Sequence, residues 1–389
     1  MREDSEQGKS TLLERMERTG DGRNIEPALG LLEGEGAQQR VRGAPEPRRE
    51  RRKTEHAIAS RAETADPLHP SYYGLPVIKE TVWIWTIPLY FHVGGLAGAA
   101  SVLGVSAELA GGRRFRRLRA RTRWTGAVGD AVSAVLLITD LGRPERFLNM
   151  MRVFRPSSPM SMGSWVLSVS GAANGLAAVT SGFEGGVLGR SGDAASVVGG
   201  VLGLPLAGYT AVLLANTAVP VWQGTRFGLP LLFMSAGVAS AASLLSLLPG
   251  TRAEGRALHL YGTVGSAAAL AATYAVEREA ARSESVSKHL HAGVGGALWR
   301  AAKACTAAGL ALSLLPGRTR AKRVAASVLT QLGSLGMRYG IFYAGKASAR
   351  DPQATFRAQR EGLGAAEVQG QVGPRPDLRP DRFPLPVVR

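Results

Sequence analysis

Polar and apolar positions divide the chain into three blocks. Residues 1–69 are polar and rich in Glu, Arg, Gly and Pro, and residues 347–389 are polar again. Between them, long apolar runs alternate with short basic loops. Apolar residues in the first block are too sparse to build a core, which predicts a disordered tail. The middle block reads as eight apolar runs, near Val82–Leu103, Trp124–Leu141, Met162–Gly182, Val197–Trp222, Gly228–Leu248, Ala257–Val276, Gly295–Leu315 and Val324–Gly345. Each approaches the ~20 residues that a helix needs to cross ~30 Å of hydrocarbon. Backbone polar groups in lipid have to be satisfied locally, so runs this long predict helices, and the alternation of strands is absent from them. Gly, Ala and Ser recur in Gly94–Ser101 and Gly237–Ser243, where small side chains let helices approach closely. The expected fold class is all-α: an eight-helix transmembrane bundle over residues 70–346, with disordered polar tails at 1–69 and 347–389.

Charge sharpens this picture. The formal net charge is +17, yet residues 1–69 hold 13 Lys/Arg against 14 Asp/Glu, and residues 347–389 hold 7 against 5. The excess therefore sits in the middle block, mostly in loops between apolar runs. That is the pattern of a multispanning protein at a lipid membrane and not of a nucleic-acid binder. The loop after the first run, RRFRRLRARTR, carries seven Arg. The balance of basic residues across the short loops puts this loop on the cytoplasmic side of the inner (cytoplasmic) membrane, with both termini outside. The chain has one cysteine, Cys305, so neither an internal disulfide nor a CxxC-type zinc or iron–sulfur site is expected. The start of the chain has no charged-then-apolar signal pattern.

An ionisable group at mid-membrane costs ~2.5–3.5 kcal/mol on insertion scales, so each one inside a run is a candidate for function. The ionisable set is His92, Asp130, Asp140, His259 and Arg338, with tyrosines that include Tyr90 and Tyr209. Asp140 closes the second run, where a carboxylate can exchange a proton or pair with Arg143 or Arg146 of the following loop. Asp130 lies ten residues earlier, ~15 Å along a helix, a spacing that suits two stations of a proton path. His92 can hydrogen-bond a quinone carbonyl or relay its proton, or simply be satisfied by a neighbouring helix. His92 and His259 together raise a haem alternative, although membrane cytochromes usually carry more intramembrane histidines. Tyr209 and Asn216, seven residues apart, share a helix face; they can hold a polar headgroup or bond between helices. Arg338 requires compensation inside the bundle, and Asp130, Asp140 and Glu108 are the acids expected to form an intramembrane ion pair with it.

One loop is denser in polar chemistry than the rest. From Thr139 to Trp165, TDLGRPERFLNMMRVFRPSSPMSMGSW places two acids, four arginines and three Arg-Pro or Ser-Pro corners between two apolar runs.

With Trp83–Ser101, Tyr209–Trp222 and Arg338–Pro352, the stretch Asp140–Trp165 resembles the NrfD/PsrC family, the membrane-anchor subunits of polysulfide reductase, nitrite reductase and related respiratory complexes. The resemblance covers residues 83–352. It implies an eight-helix membrane subunit without haem or iron–sulfur cluster of its own, which binds menaquinone or ubiquinone. Electrons would pass between that quinone and a docked ferredoxin-like 4Fe-4S subunit. Through it they would reach a molybdenum or tungsten catalytic subunit, such as a polysulfide reductase or formate dehydrogenase in anaerobic respiration. Carried over by position, Asp140, Arg143 and Arg146 fall on the family's loop motif, Tyr209 lies near its quinone pocket, and His92 falls in the first-helix stretch. Thr139 stands where a histidine is common, which leaves the proton route open. The expected role is a quinone-reactive or non-catalytic membrane subunit. The alternatives are a secondary transporter or proton-conducting subunit, and a purely structural anchor.

Overall fold

The computed structural model describes residues 24–26, 31–33 and 78–355, except 142, 143, 184 and 318. The chain divides into two units, Met1–Arg52 and Lys53–Arg389. In the first, strands β1 (Asn24–Glu26) and β2 (Leu31–Glu33) pair antiparallel with Asn24 opposite Glu33. These six residues depart from the tail expected over 1–69, and the remainder of that tail lies outside the described residues. So does most of the tail expected from residue 347 onwards.

The described part of the second unit is all-helical. Its elements are α1 (Thr86–Gly111), α2 (Arg116–Asp140), α3 (Pro159–Val179), α4 (Gly186–Ala215), α5 (Pro220–Gly224), α6 (Gly228–Ser246), α7 (Arg252–Ala280), α8 (Glu284–His291), α9 (Gly293–Leu314) and α10 (Arg320–Arg350). Eight of them, from 19 residues in α6 to 31 in α10, run in alternating directions and correspond one to one with the eight apolar runs. Three, α1, α4 and α6, are long and apolar enough by themselves to cross a membrane. Of the others, α2, α7, α9 and α10 carry charged turns within their length, as in RRLRARTR at the start of α2, and α3 is diluted by Ser, Gly and Asn.

Pro220 explains the main departure from the apolar pattern. The run from Val197 to Trp222 reads as one span, but α4 stops at Ala215 and the chain turns before α5 begins with Pro220 at its first position. A proline lacks the N–H that would continue the helix. Trp222 is thereby released from the span and buried between helices.

Helices α1 to α4 pack on one another, as do α6, α7, α9 and α10, and α1 joins the two groups through α6 and α10. The crossing of α1 and α4 depends on glycine. A Cβ on Gly98 would overlap the carbonyl of Gly203, and one on Gly203 would overlap Gly98. The largest buried cluster includes Tyr90, Phe91, Trp222, Phe233, Trp299 and Phe342.

Candidate functional site

The loop after α2 is ordered by its own hydrogen bonds. A 3-10 helix spans Pro144–Met151. Ser158 caps α3 by accepting from the Ser161 backbone N–H, with Pro159 at the first helical position, as its fixed φ favours. The Ser161 hydroxyl donates to the Val153 carbonyl at 3.2 Å and accepts from the Arg155 N–H at 3.1 Å. Phe154 meets Trp165 edge-on at 5.9 Å. The Arg155-Pro156 and Ser158-Pro159 corners thus fold the loop back onto the start of α3 and deliver Gly163 and Trp165 into the bundle.

Gly163 makes room for Tyr209. A Cβ there would overlap the phenol ring, so α3 offers bare backbone where α4 brings its tyrosine. The Tyr209 hydroxyl hydrogen-bonds the hydroxyl of Tyr90, the fifth residue of α1. Trp83, Leu136, Leu137 and Val166 pack against the same buried cluster as Tyr209. Asp140, buried at the end of α2, accepts the Ile84 N–H at 3.2 Å, just before α1 begins. The start of α1, the end of α2, the start of α3 and the end of α4 therefore converge at one end of the bundle around two phenols and a carboxylate. Among the described residues, three buried polar atoms in these segments have no protein partner: the hydroxyls of Thr86 and Thr210 and the indole N–H of Trp165. Tyr90 received no role from the sequence. Its signal in the sequence is the aromatic pair Tyr90-Phe91 in the first helix, adjoining His92.

The same end is tied down by α10. Glu80 pairs with Lys346 at 3.1 Å and with Arg350 at 2.6 Å, and Lys346 also donates to the Trp83 carbonyl. Trp83 stacks on Trp222 at 5.8 Å and Trp222 on Phe342 at 6.4 Å. The Trp222 N–H donates to the Ile341 carbonyl at 2.8 Å.

Other residues singled out from the sequence lie elsewhere. His92 is two positions beyond Tyr90, across the helix, and its Nδ1 faces the Ser334 hydroxyl at 3.4 Å. Asn216 is exposed; its side chain donates to the Val212 carbonyl at 2.8 Å as α4 ends, so it does not join Tyr209 on an inner face. Arg338 is 1% exposed, and its expected ion pair is not formed with any of the three acids named for it. Its guanidinium donates to the carbonyls of Phe91, Phe233 and Ser334, each at 3.0 Å, and to the Ser334 hydroxyl at 2.6 Å. It also lies 5.0 Å from the centre of the Phe233 ring. Three helix carbonyls and an aromatic face supply the negative partial charge that a carboxylate would have given. Glu108 instead meets Arg123, which also pairs with Asp193 at 2.6 Å. Arg143 and the side chain of Arg146 lie outside the described residues.

Asp130 heads a second polar group, among α1, α2 and α3. Its Oδ2 accepts from Ser170 at 2.9 Å and Asn174 at 2.8 Å, and the Asn174 Oδ1 accepts from Ser101 at 3.1 Å. Its Oδ1 is buried without a partner, as is the nearby Ser133 hydroxyl. Among the described residues, no group of three or more His, Cys, Asp and Glu side chains could hold a metal ion.

Comparison with curated proteins finds no match. A family model described as polysulfide reductase, of the NrfD type, matches residues 70–350. That span takes in the helical bundle, the polar loop after α2 and the α10 segment that fastens the start of α1. The chain belongs to the NrfD-type polysulfide reductase family, as a multi-pass membrane protein that works with the other subunits of a reductase complex.

Proposed function

We propose that the chain is the quinone-binding membrane subunit of such a complex, with all eight long helices crossing the bilayer of the cell's inner membrane. Electrons would pass between menaquinone or ubiquinone and a docked 4Fe-4S subunit, and through it a molybdenum or tungsten enzyme. The observation that carries this reading is the Tyr90–Tyr209 hydroxyl pair at the same end of the bundle as Asp140. A quinone headgroup is a flat ring with two carbonyl acceptors, and the residues here fit it. Two phenols that bond only to each other can turn to donate to a carbonyl, and the Trp165 N–H and the Thr86 hydroxyl are buried donors without partners. The aromatic and aliphatic wall of Trp83, Leu136, Leu137 and Val166 matches the apolar part of such a ring.

The quinone supplies two-electron, two-proton redox chemistry when bound. The chain's own part is to orient it and to handle the protons. Tyr209, seated on Gly163, holds a fixed phenol donor. Tyr90 supplies the second donor from the first turns of α1. Asp140, at the helix end, exchanges the proton with the water side, while the Ile84 N–H holds its carboxylate in place. His92 and Asn216 serve outside this headgroup contact.

The test is quinol turnover by the purified complex carrying Asp140→Asn or Tyr209→Phe. The expected loss is at least tenfold for Asp140→Asn, since a positioned acid–base group contributes ~10²–10⁴-fold. For Tyr209→Phe it is a several-fold rise in KM, the scale of one hydrogen bond at ~0.5–1.5 kcal/mol. Wild-type rates in both, with assembly intact, remove these residues from the mechanism.

A second reading has its own observation. The buried Asp130–Ser170–Asn174–Ser101 ladder also suits a proton-conducting subunit. Proton flux through the chain without quinol turnover, lost in Asp130→Asn, would favour it.

A further inference from the structure

A cavity of about 520 Å³ opens at the other end of the bundle, between α6, α7, α9 and α10. It is formed by the C-terminal halves of α6 and α9 and the N-terminal halves of α7 and α10. The antiparallel course of the helices therefore separates it from the tyrosine pair by most of the bundle's length. Its size falls in the ~300–1,000 Å³ range of ligand pockets.

The lining is divided. The mouth carries Arg252, His259 and Arg323, all exposed. Neither arginine has an acid within ion-pair distance among the described residues. Lys322 also lines the cavity and donates to the carbonyls of Pro316 and Gly317, and Arg121 adds a further cation near the rim, beside Gly250. The acid at the rim, Glu254, is committed elsewhere: its carboxylate accepts the backbone N–H groups of Leu118 at 2.8 Å and Thr251 at 2.8 Å. Deeper in, the wall alternates small apolar positions, Ala239, Ala242 and Gly262, with the hydroxyls of Ser243, Ser266 and Thr330. Hydroxyls and small apolar positions share the wall, so the interior suits a slender body that carries both polar and apolar atoms, such as the glycerol-ester region of a lipid, and the mouth suits an anion.

We propose that this cavity binds one anionic phospholipid, with its phosphate at Arg252 and Arg323 and the upper part of its chains against the Ala/Gly wall. The proposal rests on the chain being a membrane protein, and it is independent of the quinone reading. Lipid reaches the cavity from the leaflet around this end of the helices. The guanidinium groups supply the charge-assisted hydrogen bonds that a phosphodiester takes.

The test titrates the delipidated complex in detergent with dioleoyl phosphatidylglycerol, dioleoyl phosphatidylcholine or inorganic phosphate, read by native mass spectrometry. One phosphatidylglycerol should bind per chain with a Kd at least ~tenfold below that of phosphatidylcholine, the scale of two basic residues near a lipid surface. The preference should vanish in Arg252→Gln/Arg323→Gln and return in Arg252→Lys/Arg323→Lys. Gly255→Trp offers an independent block: Gly255 lines the cavity, and a Cβ there meets nothing within 4 Å, so the variant should fold and lose the bound lipid. Equal affinity for the two lipids, or an unchanged preference in the Gln pair or in Gly255→Trp, overturns the proposal. Displacement of phosphatidylglycerol by an equal concentration of inorganic phosphate overturns the lipid assignment in favour of a free anion.

Discussion

The ring of Tyr209 occupies the space that a methyl group on Gly163 would need. Gly163→Ala therefore has to push the phenol away from α3, at the ~1–3 kcal/mol that overpacking costs. The expected outcome is an assembled complex with a lower melting temperature and a turnover defect as large as that of Tyr209→Phe. Quinol kinetics beside a thermal melt check both at once. Arg338 makes the opposite case, a charge whose role is architectural. It ties the backbones of α1, α6 and α10 together through Phe91, Phe233 and Ser334. Arg338→Leu removes that tie and the packing of a fully buried side chain between three helices, and should cost about 3 kcal/mol. Arg338→Lys should not restore stability, because an ammonium on one stem does not reproduce the planar fork that reaches three carbonyls. Detergent-solubilised melting curves for both variants decide this. A buried arginine was legible in the sequence as a charge needing compensation. The identity of its partners was not, because carbonyls belong to every residue and leave no trace in residue type.

At the scale of elements, α7 and α9 are joined at one end by Glu277. Its carboxylate accepts the Lys303 ammonium at 2.6 Å and the Trp299 N–H at 2.8 Å. Burial alone would raise the carboxyl's pKa. The hydrogen bonds from Lys303 and Trp299, with the charges of Lys303 and His291, outweigh it and hold the group below its ordinary 4.5. A depressed native value means stabilisation that is complete above the ordinary value and lost as pH falls through the native one. Acid should therefore loosen the α7–α9 contact first near this cluster, and Glu277→Gln should flatten that acid limb while lowering the melting temperature at neutral pH. Hydrogen exchange across residues 252–314, at neutral pH and at about pH 3, checks the direction. Helix positions were largely legible, since eight apolar runs became eight long helices. The end of α4 was not, because LLANTAVPVW stays apolar through the break. Hydropathy averages across Pro220, where backbone chemistry does not. Asn216 suffered from the same fault: its shared face with Tyr209 holds only while the helix continues.

For the whole molecule, every feature of the tyrosine site faces one end of the bundle, and so does the loop after α2. That loop turns its apolar side chains outward: Leu148 is 73% exposed and Val153 66% exposed. Phe154 beside them is engaged by Trp165. Scattered exposed apolar residues are ordinary on lipid-facing helices. On a polar loop beyond the helix ends they instead suit the apolar centre of a protein interface, with charged residues such as Glu145 and Arg152 around it. The family implies partner subunits, and the electron transfer proposed for a quinone at Tyr90 and Tyr209 would require the redox partner to dock at this end. Leu148→Asp/Val153→Asp should therefore leave the chain inserted and helical yet prevent co-purification of the proposed iron–sulfur subunit. The same pair of aspartates at Val187 and Leu188, exposed at the start of α4 on the opposite end, should leave the complex whole. Co-purification from the membrane fraction reads both. Retention of the subunit by the loop variant, or its loss from both variants alike, would detach the docking surface from the quinone end.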